Sequence, residues 1–276
     1  MKVFDAADIR NVALVGHSGA GKTQLAAALL YDTGATPRLG KVDEGTTVTD
    51  YDEEAIARKH TLSSSLAWFE FNKRKVNLID TPGMGNFLSD ARAALRVVEA
   101  AVVVVDGVSG VQVSTEQIWE TAASLNLPRL IVVNRLDRER ASLPRALDSL
   151  RQTLSRSAVA VHWPIGEEDA IIGLIDLVTM KAWTFAEDGS GKATEIPIPD
   201  SVRADVDAAR ATLVEAVAET DEALMERFFE NGTLSQDDLT NGLAAAVRAS
   251  HVFPVLCMSG LRNIGGPLLA DAITAL

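Results

Sequence analysis

Apolar segments of strand length alternate along this chain with segments of helical periodicity. The helical segments are KTQLAAALLYDTG (22–34), which should end at Gly34, a stretch near 115–126, and GGPLLADAITAL (265–276). The strand candidates are NVALVG (11–16), SLAWFEF (65–71), KVNLID (75–80), AAVVVVDG (100–107), RLIVVNRLD (129–137) and VFPVLCMSG (252–260). Strands after residue 73 are apolar throughout, which is typical of strands covered on both faces. The order predicts an α/β fold, with a doubly wound, mostly parallel sheet, helices on both faces and a ligand at the carboxyl ends of the strands.

Two segments interrupt this alternation. Residues 35–63 are polar, rich in Gly, Thr, Asp and Glu, and lack a sustained period. A connector of that length is usually a mobile functional loop or a disordered segment, and a passive insertion is the alternative. Residues 158–252 combine short strand patterns, a turn at EDGSGKATE (187–195) and helical stretches, and they predict a small α+β insert. The main domain would then comprise residues 1–157 and 253–276.

Three helices of the insert have candidate N-caps. Asp200 or Ser201 is expected to cap the first, Thr220 the second and Ser235 the third, because their side-chain oxygens can accept hydrogen bonds from free N–H groups of a first helical turn.

Composition narrows the functional classes. The chain has 276 residues, of which 47% are hydrophobic, so it can bury a full core. Its net charge of −12 argues against general electrostatic binding of nucleic acid or anionic lipid. The one cysteine, Cys257, excludes a disulfide framework and favours a cytoplasmic location. The longest apolar run, at 100–105, is too short to span a membrane, and the N-terminus does not resemble a secretory signal.

The segment GHSGAGKT (16–23) fits the phosphate-binding pattern G-x-x-x-x-G-K-[ST]. It follows a predicted strand and opens a predicted helix, which is the context that a phosphate-binding loop (P-loop) requires. Its glycines let backbone N–H groups surround phosphates, Lys22 supplies positive charge, and Thr23 offers a hydroxyl to Mg²⁺. The residues predicted to contact phosphate are His17, Ser18, Gly19, Ala20, Gly21, Lys22 and Thr23.

A second phosphate-linked segment is DTPG (80–83), at the end of a predicted strand. Asp80 is the expected carboxylate of the Mg²⁺ site, and Gly83 would present its N–H group to the γ-phosphate. An ordinary turn with proline at its second position is the alternative, and the P-loop upstream favours the functional interpretation.

The segment NRLD (134–137) also lies at a strand end. Asp137 can accept hydrogen bonds from N1–H and the 2-amino group of guanine, which adenine does not offer at those places. A buried carboxylate left unpaired is costly, so Asp137 predicts selection of GTP over ATP. Asn134 is placed to brace the P-loop, and Arg135 to lie along the base.

The P-loop, the long polar loop, DTPG and NRLD, in this order, resemble a translational GTPase over essentially the whole chain. The resemblance is strongest to the GTP-binding (G) domain of elongation factor G and of its elongation factor G-like paralogues. It implies that GKVDEGTTVTDYDEEAIARKHT (40–61) is switch I and that Thr61 binds Mg²⁺ and senses the γ-phosphate. In MSGLRNIGG (258–266), Ser259 and Gly260 occupy guanine-contacting positions, and the insert at 158–252 corresponds to the subdomain called G′.

The resemblance further implies GTP, GDP and Mg²⁺ as ligands and the ribosome as partner. In this family the G domain precedes further domains that engage the ribosome. Leu276 lies about where the G domain ends, so we expect the chain to be an isolated domain or a piece of a longer factor, and to be a monomer.

The departures from the family pattern surround the position of the attacking water. Ser18 replaces an apolar residue of the P-loop and Gly19 replaces an aspartate; Arg135 replaces the lysine of N-K-x-D. Met84 stands where the family has the histidine of D-T-P-G-H, and His60 stands where it has the isoleucine of R-G-I-T. His60 is therefore the candidate catalytic residue, and a solvated loop residue is the alternative.

Two functions remain open at this point. The chain is either a GTPase domain that drives a ribosomal step, or a GTP-dependent switch that docks on the ribosome with little or no hydrolysis. A ribosomal-protection factor of the tetracycline-resistance type shares the same G domain. An ATP-dependent kinase or transporter ATPase is disfavoured by NRLD and the long loop.

Overall fold

A computed structural model describes residues 3–276. Over that range the strands are β1 (Ile9–Val15), β2 (Ser65–Phe71), β3 (Arg74–Asp80), β4 (Ala100–Asp106), β5 (Arg129–Asn134), β6 (Ala158–Ala160), β7 (His162–Ile165), β8 (Gly173–Asp176), β9 (Lys181–Phe185), β10 (Ala193–Ile196) and β11 (Phe253–Cys257). The α-helices are α1 (Lys22–Asp32), α2 (Glu53–Arg58), α3 (Leu88–Ala94), α4 (Val113–Ser124), α5 (Leu143–Thr153), α6 (Arg203–Ala218), α7 (Glu222–Asn231), α8 (Gln236–Arg248) and α9 (Gly266–Ala275).

The larger sheet has seven strands in the order β2-β3-β1-β4-β5-β11-β6. Its strands are parallel except for β2, which pairs antiparallel with β3. Helices cover both faces, and α1 packs against α9 while α3 packs against α4. The fully apolar pattern of the central strands is explained by this burial, since all six residues of β5 are buried. The predicted α/β class and doubly wound sheet are confirmed.

The predicted strand pair at 65–80 is a β-hairpin. Asn72 and Lys73, within the NKRK segment, both have positive φ, of 48° and 63°. Two consecutive residues with positive φ match the twist of a two-residue hairpin turn.

The insert contains a four-stranded antiparallel sheet in the order β10-β9-β8-β7, followed by α6, α7 and α8. Residues 158–160, assigned to the insert by sequence, form β6 at the edge of the larger sheet beside β11. The sequence predicts a turn throughout 187–195, but the last three residues of that stretch belong to β10, which pairs with β9. The short polar strand escaped prediction because pairing with a neighbour, and not hydrophobic periodicity, holds it in place.

Two of the three predicted N-caps are wrong. A 3₁₀ turn occupies Asp200–Val202, and α6 begins only after it, without a side-chain cap. Asp221 caps α7, while the Thr220 hydroxyl donates to the carbonyl of Val217. Ser235 caps α8 as predicted, by accepting from the N–H of Asp238.

The long polar loop contains secondary structure that its sequence did not indicate. It contains a 3₁₀ turn, Val42–Glu44, and the short helix α2, which Asp52 caps by accepting from the N–H groups of Glu54 and Ala55. Six residues are too few to show a helical period, so the pattern could not reveal this helix. Among the described residues, no helix is long and apolar enough to cross a membrane.

Candidate functional site

The P-loop joins β1 to α1 at the centre of the larger sheet. Gly16 has φ of 135°, and a Cβ at this position would lie 2.2 Å from the carbonyl oxygen of Val104. Gly21 adopts a left-handed conformation immediately before the first helical residue, Lys22. Only glycine meets both requirements without strain, which explains the glycine spacing of the motif.

Lys22 is buried beneath this loop. Its Nζ donates to the carbonyl oxygens of Gly16 (2.9 Å) and His17 (3.0 Å). Burial lowers the pKa of Lys22 to about 8, and the negative charge of Asp80 opposes the shift. A desolvated ammonium held in this way is well placed to bind an anion.

The hydroxyls of two predicted metal ligands meet beside the P-loop. Thr23 Oγ1 lies 2.7 Å from Thr61 Oγ1, and Thr61 donates to Asp50 Oδ1 at 2.9 Å. Burial raises the pKa of Asp50. The C-terminal end of the loop 35–63 therefore contacts the first turn of α1.

Asp80 lies at the end of β3 with no solvent exposure. Its Oδ2 accepts from the Thr49 hydroxyl at 3.0 Å, while Oδ1 is buried without a hydrogen-bond partner among residues 3–276. Burial raises the pKa of Asp80 to about 6, and the nearby Thr23, Lys22 and Thr49 act in the opposite direction. A buried carboxylate oxygen beside two threonine hydroxyls is a donor set that suits a hard cation such as Mg²⁺.

The DTPG segment lies directly on the P-loop. The carbonyl of Gly83 accepts from the N–H of Ser18 at 3.0 Å. A Cβ on Gly83 would lie 2.4 Å from Lys22 Nζ and 2.6 Å from the carbonyl oxygen of Gly16. The segment therefore packs closely enough to reach a phosphate held by the same loop.

Asn134 and Arg135 connect strand β5 to the P-loop. Asn134 Nδ2 donates to the carbonyl of Ala20 at 2.9 Å, and its Oδ1 accepts from the N–H of Gly260 at 3.0 Å. Arg135 donates to the carbonyl of Gly19 and pairs with Asp106 at 3.0 Å. The strand end, the P-loop and the 259–260 segment thus form one hydrogen-bonded unit.

The carboxylate of Asp137 is oriented by Ser259. Ser259 Oγ donates to Asp137 Oδ1 at 2.6 Å and accepts from the N–H of Arg262 at 3.1 Å. Among residues 3–276 the hydrogen bond to the Asp137 carboxylate falls on Oδ1, so its other oxygen is available to a ligand.

One cleft brings most of the predicted residues together. The predicted residues that line it are Ser18, Gly19, Gly21, Lys22, Thr23, His60, Thr61, Gly83, Asn134, Arg135 and Asp137. Of the others, Ala20, Asp80, Ser259 and Gly260 are buried, and Ala20 lines a second, smaller pocket. His17 lines the same smaller pocket on the other side of the P-loop, and its N–H donates to Thr115. Two residues that depart from the family pattern differ in their position: exposed His60 lines the cleft, and half-buried Met84 does not.

Sequence reasoning missed Gln24 and Asp50. Gln24 donates to the carbonyl of Gly40 at 2.9 Å and accepts from the N–H of Val42 at 3.2 Å, so it holds the start of the loop 35–63 against α1. Both residues line the cleft. Gln24 follows the P-loop directly, which is a usable signal, whereas nothing in the sequence around Asp50 indicates that it lies beside Thr61.

A family model described as the elongation factor Tu GTP binding domain matches residues 7–276. A crystal structure of a protein from Thermus thermophilus is similar to this chain, with a TM-score of 0.90 and 40% sequence identity. That similarity covers 98% of this chain and 40% of the Thermus chain, so the chain spans less than half the length of this relative.

Proposed function

The chain belongs to the elongation factor Tu GTP-binding domain family, and from this premise we propose that it is the G domain of an elongation factor G-like GTPase that acts on the ribosome. Domains of this family bind guanine nucleotides and hydrolyse GTP. The 40% identity to a longer Thermus protein supports a role within a multidomain factor. We place the factor in the cytoplasm, with the domain as a monomer that meets the ribosome through the full-length protein.

The contact between Ser259 and Asp137 is the observation that carries this proposal. It places an oriented carboxylate in the same cleft as Lys22 and Thr23, at the end where the base would lie. The unused carboxylate oxygen can accept hydrogen bonds from guanine, and an adenine there would leave it unpaired. GTP and GDP are therefore the proposed ligands, with little binding of ATP.

The residues present fit Mg²⁺ at the phosphate end. Thr23 and Thr61 would hold the ion directly, and Asp80 would stand behind them with its free Oδ1. When bound, Mg²⁺ neutralises charge on the β- and γ-phosphates. The chain itself positions the phosphates through Lys22 and the P-loop N–H groups.

We further propose that hydrolysis is weak. The residue after DTPG is Met84, whose thioether has no N–H donor and is a weak acceptor, and its side chain does not line the cleft. His60 does line the cleft, at the end of the loop that carries Thr61, and it is the proposed substitute for holding the attacking water. Its exposure means that the loop must close further before it can do so.

The same placement of Met84 favours a second candidate function, a GTP-dependent switch that docks on the ribosome and hydrolyses little or no GTP. A ribosomal-protection-type factor would share the site described here. Both candidate functions require binding of guanine nucleotides, and they differ in the rate of GTP hydrolysis.

Two measurements test the proposal. Titration of the purified chain with fluorescent GDP, GTP and ATP analogues should show Mg²⁺-dependent binding of the guanine nucleotides and little binding of ATP. Single-turnover hydrolysis of GTP by the purified chain should be near zero, and hydrolysis by the full-length factor should be weakly stimulated by ribosomes. Equal affinity for ATP and GTP would contradict the nucleotide assignment. Turnover as fast as that of an ordinary elongation factor G would contradict weak hydrolysis, and binding without any turnover would favour the switch.

A further inference from the structure

The loop 259–264 is held by the insert at two adjacent residues. Arg262 Nη1 donates to the carbonyl of Asp169 at 2.6 Å, and Asn263 Nδ2 donates to the carbonyl of Gly189 at 3.2 Å. Asp169 lies in the turn before β8, and Gly189 lies in the turn between β9 and β10. The loop that carries Ser259 is therefore attached to two separate turns of the insert.

Asn263 also connects the loop to α1. It has no solvent exposure, and its Nδ2 donates to Asp32 Oδ1 at 2.6 Å. Asp32 is the last residue of α1, the helix that begins with Lys22. Asn263 has φ of 55°, a left-handed conformation that asparagine tolerates better than most residues. The amide is therefore shared between the helix of the P-loop and the turn of the insert.

The turn between β9 and β10 fits closely against this pair. A Cβ on Gly191 would lie 2.3 Å from Asp32 Oδ1 and 2.5 Å from Asn263 Nδ2. At such distances the pair would have to move. A Cβ at Gly191 therefore fits only if the side chains of Asp32 and Asn263 shift, so a substitution there would displace the Asn263 amide.

The loop transmits this position to the guanine end of the cleft. The main-chain N–H of Arg262, the residue that reaches Asp169, donates to Ser259 Oγ, and Ser259 donates to Asp137. An antiparallel bridge between Ser259 and Ile264 closes the loop, with N–O distances of 3.1 Å and 2.9 Å. A displacement of Asn263 therefore acts on Ser259 through a short, closed segment.

We propose that the insert positions the guanine-reading groups. Its two turns hold the loop 259–264 so that Ser259 presents Asp137 to the base, which makes Gly191, Arg262 and Asn263 positioning residues for guanine affinity. The inference rests on the proposed function, because it assumes that the cleft binds GDP.

Gly191→Ala is the direct test, with Gly232→Ala as its matched control. Both glycines lie in the insert with left-handed φ, 68° and 70°, so alanine strains the backbone similarly at each. A Cβ on Gly232 meets nothing within 4 Å. Gly191→Ala should weaken GDP binding about tenfold, the loss expected when hydrogen bonds to a charged group are misaligned. Gly232→Ala should leave the Kd for GDP unchanged.

Two further readouts separate positioning from loss of folding. A folding defect lowers the fraction of chains that bind GDP at an unchanged Kd, whereas a displaced loop raises the Kd at full stoichiometry. Inosine diphosphate lacks the 2-amino group that Asp137 would bind, so Gly191→Ala should also narrow the preference for GDP over inosine diphosphate. Asn263→Gly, which keeps the left-handed backbone and removes the amide, should act in the same direction.

These tests distinguish failure of the positioning role of the insert from failure of the proposed function. If the parent chain does not bind GDP, the proposed function fails. If the parent binds GDP and Gly191→Ala binds it as tightly as Gly232→Ala does, the positioning role of the insert is overturned and the proposed function stands.

Discussion

The hydroxyl oxygens of Thr23 and Thr61 lie 2.7 Å apart although 38 residues separate them in the sequence. Thr23 belongs to the first turn of α1, and Thr61 ends the polar segment that the family resemblance identifies as switch I. The contact places both hydroxyls where one cation can bind them. The contact joins the far end of the segment to α1, and Gln24 joins its start to the same helix.

Nucleotide should therefore control the mobility of residues 36–62. A γ-phosphate with Mg²⁺ adds interactions at Thr61 that GDP does not provide, so the segment should be ordered in the GTP state and mobile otherwise. Hydrogen exchange of its amides should slow with a GTP analogue and not with GDP. Amides of α6, in the insert, serve as the internal control. Equal protection in the two states would contradict a switch in this segment.

Asp137→Asn should change the base that the cleft prefers. The amide can donate to the C2 oxygen of xanthine, but it has one acceptor oxygen where the carboxylate has two, so it cannot accept from both the N1–H and the 2-amino group of guanine. We expect GDP to bind at least about tenfold more weakly, with binding of xanthosine diphosphate gained, because a mismatched polar contact costs about 1–3 kcal/mol. Paired titrations with the two nucleotides measure the change, and an unaltered preference would remove Asp137 from base recognition.

Met84→His and His60→Ala test how the water is held. Loss of a positioning group costs on the order of 10²–10⁴ in rate, about 3–5 kcal/mol, so a histidine after DTPG should raise GTP hydrolysis if its absence is limiting. His60→Ala should abolish residual hydrolysis if His60 is the substitute. The measurement is the single-turnover rate of GTP hydrolysis, for this chain alone and for the full-length factor with ribosomes. Fast hydrolysis that is indifferent to both substitutions would show that another group positions the water.

Gly83→Ala should disrupt the contact between DTPG and the P-loop. Its Cβ would lie 2.4 Å from Lys22 Nζ and 2.5 Å from the Ser18 amide nitrogen, so the segment must move away from the phosphate site. Binding of GTP analogues should weaken by about tenfold or more, as expected when a charged hydrogen-bonding site is disturbed. Gly85→Ala is the control, since a Cβ there meets nothing within 4 Å. Equal effects of the two substitutions would show that the close packing at Gly83 is unimportant.

Asp32→Asn should make the free energy of unfolding less dependent on pH. Burial raises the pKa of Asp32 from 3.8 to about 6, and the Asn263 amide opposes the shift. The folded chain therefore binds this proton more tightly than the unfolded chain, so ionisation of Asp32 destabilises the fold as pH rises from about 4 to about 6.

The variant should gain stability over the parent between about pH 5 and about pH 7.5, by on the order of 1–3 kcal/mol at the upper end. Urea unfolding of both proteins at the two pH values measures this, and the difference between them cancels contributions from other groups. A constant difference across that range would show that Asp32 titrates normally.

Short contiguous motifs predicted most of the candidate site and the family resemblance. The P-loop, DTPG and NRLD are short because each involves a few consecutive residues at a strand end, and the alternation of apolar and helical segments predicts the α/β class, whereas the order of the strands in the sheet came only from the structure. The glycines at 16 and 21 could be assigned from the spacing of the motif, but only the packed structure shows that a Cβ on Gly16 would meet the carbonyl oxygen of Val104. The existence of the insert also followed from the length of chain between NRLD and the last strand.

Tertiary structure decided the contacts between distant side chains. Asp32 and Asn263 are 231 residues apart, and Thr49 meets Asp80 across 31 residues. No local pattern encodes such pairs, because a buried polar group takes whatever partner the packed elements bring to it. The pairing of β10 with β9 despite its polar sequence is likewise a contact between two segments, whereas the cap of α7 is a local contact that lies one residue beyond the predicted Thr220, at Asp221. The position of His60 in the cleft and of Met84 outside it depended likewise on how the loop 35–63 and the segment after DTPG pack against the P-loop.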